Sequence, residues 1–370
     1  MVRQVVASLL RTSAVRPQQP LLTAARYRFP SSRAFQSSTL KAAVAHSITA
    51  HGPPPKAPSP APEFGGRSVQ ETQSDEPQES SETQTRPLKK PTPLKKRFWK
   101  DVDVQKKQDG QFQVLLDKRP VRTPQKSVLS VPSTKPHLAH AIALEWDVMN
   151  TAQQALKNHM IPLTSLTARA ADIAEEDATG KTTTRDQIIT TAMRYLETDT
   201  LLCWVPQAEH IEIDENGQKR ETLREAQMRV AKDIISFLST KVWPSIEIVP
   251  VLDENSIFPA SQSQATKDII KQWVHGLEAH DLAALERGIL ASKSLLVAVR
   301  LVAEWSENFR QLQRQGQKRF GIEEAAEASS LEVSWQTEMW GEVEDTHDVD
   351  KEDLRRQLGS VILLVSGESS

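Results

Sequence analysis

The chain has 370 residues, a formal net charge of −2, 38% hydrophobic and 25% charged residues, and one cysteine. That length allows one large domain or two ordinary ones, with enough core to fold without covalent staples. The lone Cys203 excludes an internal disulfide framework and an all-cysteine zinc site. The best apolar run, Leu295 to Val302, falls far short of the roughly 18 residues of a membrane span and is interrupted by Arg300. No membrane insertion is expected.

The small net charge hides an asymmetry. Residues 1–62 hold six arginines, two lysines and no acid, a net of +8 that leaves −10 for the remainder. At the start, Val2, Val5, Val6, Leu9 and Leu10 share one side of a helix, with Arg3 and Arg11 toward the other. An acid-free, Arg- and Ser-rich amphipathic opening reads as a mitochondrial presequence, assigned to residues 1–45, with cleavage near Arg33-Ala34-Phe35 and a destination in the matrix. The plainer alternative is a basic tail that binds anionic surfaces. Residues 51–93 contain ten of the 22 prolines. Such a stretch buries too little apolar surface to offset ordering entropy, so residues 46–96 are expected to form a disordered Pro/Ser-rich linker. Its basic end, Lys89-Lys90 and Lys95-Lys96-Arg97, is read as solvated linker rather than a nucleic-acid patch.

From Arg97 the texture changes. Val102 and Val104, then Phe112, Val114 and Leu116, alternate with polar residues on either side of Asp109-Gly110, which predicts a β-hairpin. Val121 and Val128 to Val131 suggest further short strands. Ser133 or Thr134 is the expected cap of a helix with Pro136 in its first turn and Leu138, Ile142, Trp146 and Met149 on one face. The expected fold class is therefore α+β. Residues 97–155 form a small N-terminal α/β domain of β-hairpins plus a helix, and residues 156–370 a mostly α-helical C-terminal domain.

In that second part, helices are predicted over 163–174, 183–196 with a Thr183/Asp186 capping pair, and 223–242 ended by Pro244. An extended piece at 246–251 follows. Helices then cover 263–276, 278–291 and 323–339, and 295–304 forms another helix or a buried segment.

No convincing catalytic constellation emerges. Gly180-Lys181-Thr182 resembles the end of a phosphate loop, but the required upstream glycine is Glu175, and Glu176 and Asp177 would repel phosphate. His137 and His140 lie one helical turn apart but lack the further ligands of a metal site. The stretch from Asp345 to Asp350 lacks the glycine and terminal acid of a calcium loop and reads as a solvated acidic helix start. Cys203, in Leu201-Leu202-Cys203-Trp204, is expected to be buried and structural. Glu145 is a partly buried carboxylate that needs a donor. No catalytic, cofactor or metal residue is assigned.

A surface signal remains. Residues 323–353 contain 12 acids and one base, Lys351, together with Trp335 and Trp340. Aromatics among charges of one sign suit a face that binds a basic protein partner; a helix with inward tryptophans and solvated acids has the same composition.

Several segments resemble one family, the assembly chaperones for the alpha subunit of the mitochondrial ATP synthase catalytic head. They are Arg97-Phe98-Trp99-Lys100, the run Leu116 to Pro124, Ala143-Leu144-Glu145-Trp146-Asp147, Met160-Ile161-Pro162-Leu163-Thr164, Tyr195-Leu196-Glu197-Thr198-Asp199, and Leu331-Glu332 with Trp340-Gly341 and His347-Asp348. Together they span about residues 97–368. The resemblance implies an ATP-independent, cofactor-free, monomeric chaperone that is not an enzyme and binds the unassembled alpha subunit, not nucleic acid. It implies that Glu332 is functionally important. Trp340, Glu344, His347 and Asp348 are grouped with Glu332 as expected partner-binding residues, and Glu145 and Trp146 are expected to be structural. Trp340 can be an anchor or part of the core. The competing readings are a matrix scaffold for assembled complexes, or an enzyme of unrecognised type using Glu145 or the acids near His347.

Overall fold

Alternating side chains and an Asp-Gly turn build the first element. In the computed structural model, β1 (Val102–Lys106) and β2 (Phe112–Leu116) pair antiparallel with Val104 opposite Val114. Gly110 takes the left-handed φ of +85° that the turn needs, and Asp109 Oδ1 accepts from the Gln111 N–H at 3.0 Å. β3 (Arg119–Pro120) and β4 (Ser130–Val131) both pair antiparallel with β2, giving a four-stranded sheet. The described residues are 96–207, 217, 219–252, 258–313, 316, 318–343 and 346–368. All lie within the unit Thr85–Ser370. The presequence reading and all of the linker except its last residue fall outside the described residues.

Helix α1 (Pro136–Asp147) packs on β1 and β2. Val114, Leu116, Leu129 and Val131 of the strand region and Leu138 and Ile142 of α1 are all buried. The cap differs from expectation. Lys135, not Ser133 or Thr134, precedes the helix, and no side chain caps it. Lys135 is instead buried, its Nζ donating to the carbonyls of Val365 and Ser366 at 3.0 and 2.9 Å and pairing with Glu307 at 2.7 Å.

The helical part comprises α2 (Pro162–Ala178), α3 (Thr183–Glu197), α4 (Leu223–Phe237), α5 (Gln264–His275), α6 (Ala279–Ser292), α7 (Leu295–Trp305), α8 (Ile322–Trp340) and α9 (His347–Val365). The Thr183/Asp186 cap does not form. Thr182 precedes α3, and Thr184 donates through its N–H and hydroxyl to Glu176 instead. Helix α4 opens on a Thr222/Glu225 capping box and runs into a wider π-helical turn, Leu238–Val242. The segment 246–251 makes no strand. It leads to a single parallel bridge between Cys203 and Leu252, and Cys203 is half-buried rather than buried.

Helix α7 sits at the centre, with every residue from Leu295 to Glu304 buried. A helix apolar all round belongs in a core. Its Arg300 is neutralised one turn on by Glu304 at 2.6 Å and lies over the Phe237 ring at 3.7 Å. Around it pack α3, α4, α6, α8 and α9. Gly288 of α6 allows the close crossing, since a Cβ there would meet Ala298 Cβ at 3.0 Å. Among the described residues, no helix is long and apolar enough to cross a membrane.

Candidate functional site

Most of the motif residues lie at joints of the fold. Arg97 donates to the Asp147 and Met149 carbonyls, and Trp99 Nε1 to the Trp146 carbonyl at 3.2 Å. The Trp99 and Trp146 rings meet edge-on, 5.4 Å apart. Asp117, in a left-handed turn at φ 56°, accepts from the Lys100 and Asp101 N–H groups, which holds its carboxyl below the usual range. Glu145 finds its donors at the start of α2: the N–H groups of Leu163 and Thr164 at 2.6 and 2.9 Å and the Thr164 hydroxyl at 2.8 Å. Desolvation nevertheless pushes its pKa up, against those bonds. Trp146 Nε1 donates to Thr164 Oγ1 at 3.1 Å. So Glu145 and Trp146 fasten α1 to α2.

Asp199, the last residue of the Tyr195 to Asp199 motif, is fully buried. It accepts from the N–H groups of Leu201 and Leu296 at 3.0 Å each and so ties the turn after α3 to the start of α7. Burial pushes its pKa up to about 6. The signal available in the sequence was an acid just past a helix end. Its partner Leu296, 97 residues away, was not legible.

The remaining motif residues share a different setting. Helix α8 breaks its helical geometry at Ser330, with φ −121° and ψ 15°. Ser329 and Ser330 donate their hydroxyls to the Ala325 and Ala326 carbonyls, a back-bonding that bends helices. Before the break Ala325, Ala326 and Ala328 are buried; after it no residue of α8 is. The distal half, Leu331 to Trp340, is thus an arm lying off the core.

Glu332 is exposed at the base of the arm, where Gln336 donates to it at 3.2 Å. It lines a pocket of about 190 Å³ with Thr200, Leu201, Gln227, Val230 and Lys293. Trp340, eight residues further along the helix, is 80% exposed, which removes the core alternative. Trp335 is half-buried, with the Arg220 guanidinium 5.3 Å from its ring centre. After the arm, His347 begins α9, half-buried, and its Nδ1 accepts the Val343 N–H at 3.1 Å. Asp348 and Asp350 are exposed in the first turn of α9, where the helix dipole favours acids. Glu344 lies outside the described residues. Val333, Met339, Val343 and Val349 are also exposed here. A larger pocket of about 400 Å³ opens between the arm, the end of α6 and α9, with Leu290, Ser330, Val333, His347, Asp350 and Leu354 in its walls.

The structure therefore puts Glu332, Trp340, His347 and Asp348 on one arm-and-turn, and Glu145 and Trp146 at the α1–α2 joint. Cys203 lies near the base of the arm. Its thiol pKa is raised first by burial, then by the charges of Asp199 and Glu332. Among the described residues no group of three or more His, Cys, Asp or Glu is arranged to hold a metal ion.

The described fold is a sheet-and-helix unit joined to a helical bundle with an exposed acidic and aromatic arm, and comparison with known proteins gives the family. Residues 96–239 match the family described as ATP12 chaperone protein. The mitochondrial protein atp12 of Schizosaccharomyces pombe is 30% identical over 274 residues, covering 74% of this chain and 83% of its own length. The mitochondrial protein ATP12 of Saccharomyces cerevisiae is 30% identical over 273 residues, covering 71% of this chain and 81% of its own. The chain belongs to the ATP12 chaperone family. The same fold occurs in the crystal structure of Atp12 from Paracoccus denitrificans, with a TM-score of 0.51 and 22% identity over 73% of this chain and 97% of that one. The Atu1473 protein of Agrobacterium tumefaciens gives a TM-score of 0.53 and 20% identity over 73% of this chain and 85% of that one.

Proposed function

We propose that this chain is an ATP-independent assembly chaperone of the mitochondrial matrix. It binds the unassembled alpha subunit of the ATP synthase catalytic head and shields its beta-contacting surface until assembly. In this reading residues 1–45 are a presequence removed on import, 46–96 a linker, and 97–155 and 156–370 the two folded domains. The protein works as a monomer without cofactor or catalysis.

The observation that supports it most is the α8 arm, where Trp340, Met339 and Val333 stand exposed among acids. An isolated subunit that will later bury a large apolar surface aggregates unless that surface is covered. Exposed aromatics supply anchors, and acids steer a basic client and repel wrong ones. Release to the beta subunit requires moderate affinity, which a small arm gives more readily than a deep cleft.

Glu332→Lys tests this. Capture of purified alpha subunit should fall by about tenfold or more, because a like charge faces the basic client. The residue is exposed, so thermal stability should change by no more than about 0.5 kcal/mol. Unchanged capture would remove Glu332 from the interface, and loss of fold would make it structural.

A further inference from the structure

The arm already holds one cation of its own chain. Arg220, from the segment just before α4, donates through Nη2 to Glu338 Oε2 at 3.2 Å and through Nη1 toward Met339 Sδ at 3.6 Å. Its guanidinium lies 5.3 Å from the Trp335 ring centre. An aromatic face, a carboxylate and a soft sulfur around one guanidinium suit arginine, since its weakly hydrated, multi-donor group meets a ring and a carboxylate together more readily than a compact, strongly hydrated ammonium does. We propose that Trp335, Glu338 and Met339 form a recognition site for an arginine side chain of the bound partner, and that Arg220 occupies it in the free protein as an internal stand-in. This rests on the reading of the arm as the client-binding surface and names the group it takes.

Three observations favour displacement over permanent closure. The pair is solvent-open, with side-chain exposures of 38% for Arg220 and 65% for Glu338, so it is the weak, screened kind of ion pair that a partner with further contacts can displace. The arm that carries the site leaves the core at the Ser330 break and has no buried residue beyond it. The surrounding stretch, residues 323–353, carries 12 acids against one base, which draws a basic segment toward it. Arg220 thus screens the site from weakly basic partners and yields to one that also engages Trp340 and Glu332.

The test uses the folded chain and four variants: Arg220→Ala, Arg220→Ala/Glu338→Gln, Arg220→Ala/Trp335→Leu and Glu338→Gln. Binding of acetylated penta-arginine and penta-lysine amides is followed by fluorescence anisotropy of labelled peptide. Arg220→Ala should bind the arginine peptide about fivefold tighter than the unaltered chain, with a clearly smaller gain for lysine. Either second substitution should cancel the arginine gain. No gain, or an equal gain for both peptides, would overturn the site and reduce the effect to net charge. A parallel titration with purified alpha subunit separates the two readings. Capture of alpha without an arginine-selective gain sinks the arginine site alone. An arginine-selective gain without capture of alpha by any variant supports the site and sinks the proposed client.

Discussion

At the scale of single residues, buried carboxylates divide between joints and costs. Glu145 satisfies two backbone donors at the start of α2, a helix whose N-cap residue Ile161 has no capping side chain. Glu145→Ala should cost about 1–2 kcal/mol in urea unfolding and leave client capture unchanged, because the residue lies at the α1–α2 joint and not on the arm. Asp281 and His280 oppose one another. Burial raises Asp281 to about 6 from 3.8, so its contribution to stability is present below about pH 4 and lost as pH rises through 6. Desolvation first, then the Lys135 charge, lowers His280 to about 4 from 6.5; its contribution is present above 6.5 and lost as pH falls through 4. The two offset each other between pH 4 and 6. Asp281→Asn should therefore make stability rise more steeply with pH over that window, by up to about 1.4 kcal/mol per pH unit, read from denaturant midpoints at stepped pH. An unchanged slope would show that Asp281 titrates normally in the fold. Neither group was legible in the sequence, since the burial that shifts each pKa is a product of tertiary packing, and the Ser306, Asn308 and Lys135 groups that act on it come from other elements. Glu145 was legible as a carboxylate in need of a donor, because its place beside Ile142 on an apolar face is a local property.

At the scale of elements, regular periodicity translated well and long-range joints did not. The β1–β2 hairpin followed from alternation around Asp109-Gly110, helices α5 and α6 formed within one or two residues of the expected bounds, and the segment expected as a helix or a buried run at 295–304 is both. The α1 cap was missed because Lys135 is held by Val365 and Ser366, some 230 residues away. The body of α9 was missed because its apolar residues, Leu358, Val361, Leu364 and Val365, gather at its far end behind an acidic start. Arg300 looked like an interruption of an apolar run, yet Glu304 one turn on was already its natural partner. That pair is 2% and 0% exposed. Glu304→Ala should cost about 3–5 kcal/mol by stranding a buried charge, whereas Arg300→Met/Glu304→Leu should cost much less or even stabilise. Chemical denaturation of both variants decides it; equal losses would mean that the ion pair itself, not the stranded charge, carries the stability. The site was half legible. The composition of 323–353 marked the acidic, tryptophan-bearing stretch, but only the Ser330 break decides that Trp340 leaves the core, and nothing local announced Arg220 as its neighbour.

At the scale of the whole molecule, a chain near neutrality separates into a basic opening and an acidic remainder of −10. The described part joins a small sheet and helix to a helical bundle centred on α7, and the motif blocks mostly weld these pieces together. The last block alone reaches the exposed arm. In the proposed function the arm is the client-facing surface and the rest of the described part is the scaffold that presents it. The most direct measurement offers the purified protein, in parallel, the isolated alpha subunit, the isolated beta subunit and the assembled catalytic head, and quantifies capture of each. The proposal predicts capture of alpha alone, with bound alpha released as beta is titrated in. Equal capture of alpha and beta, or preference for the assembled head, would contradict it.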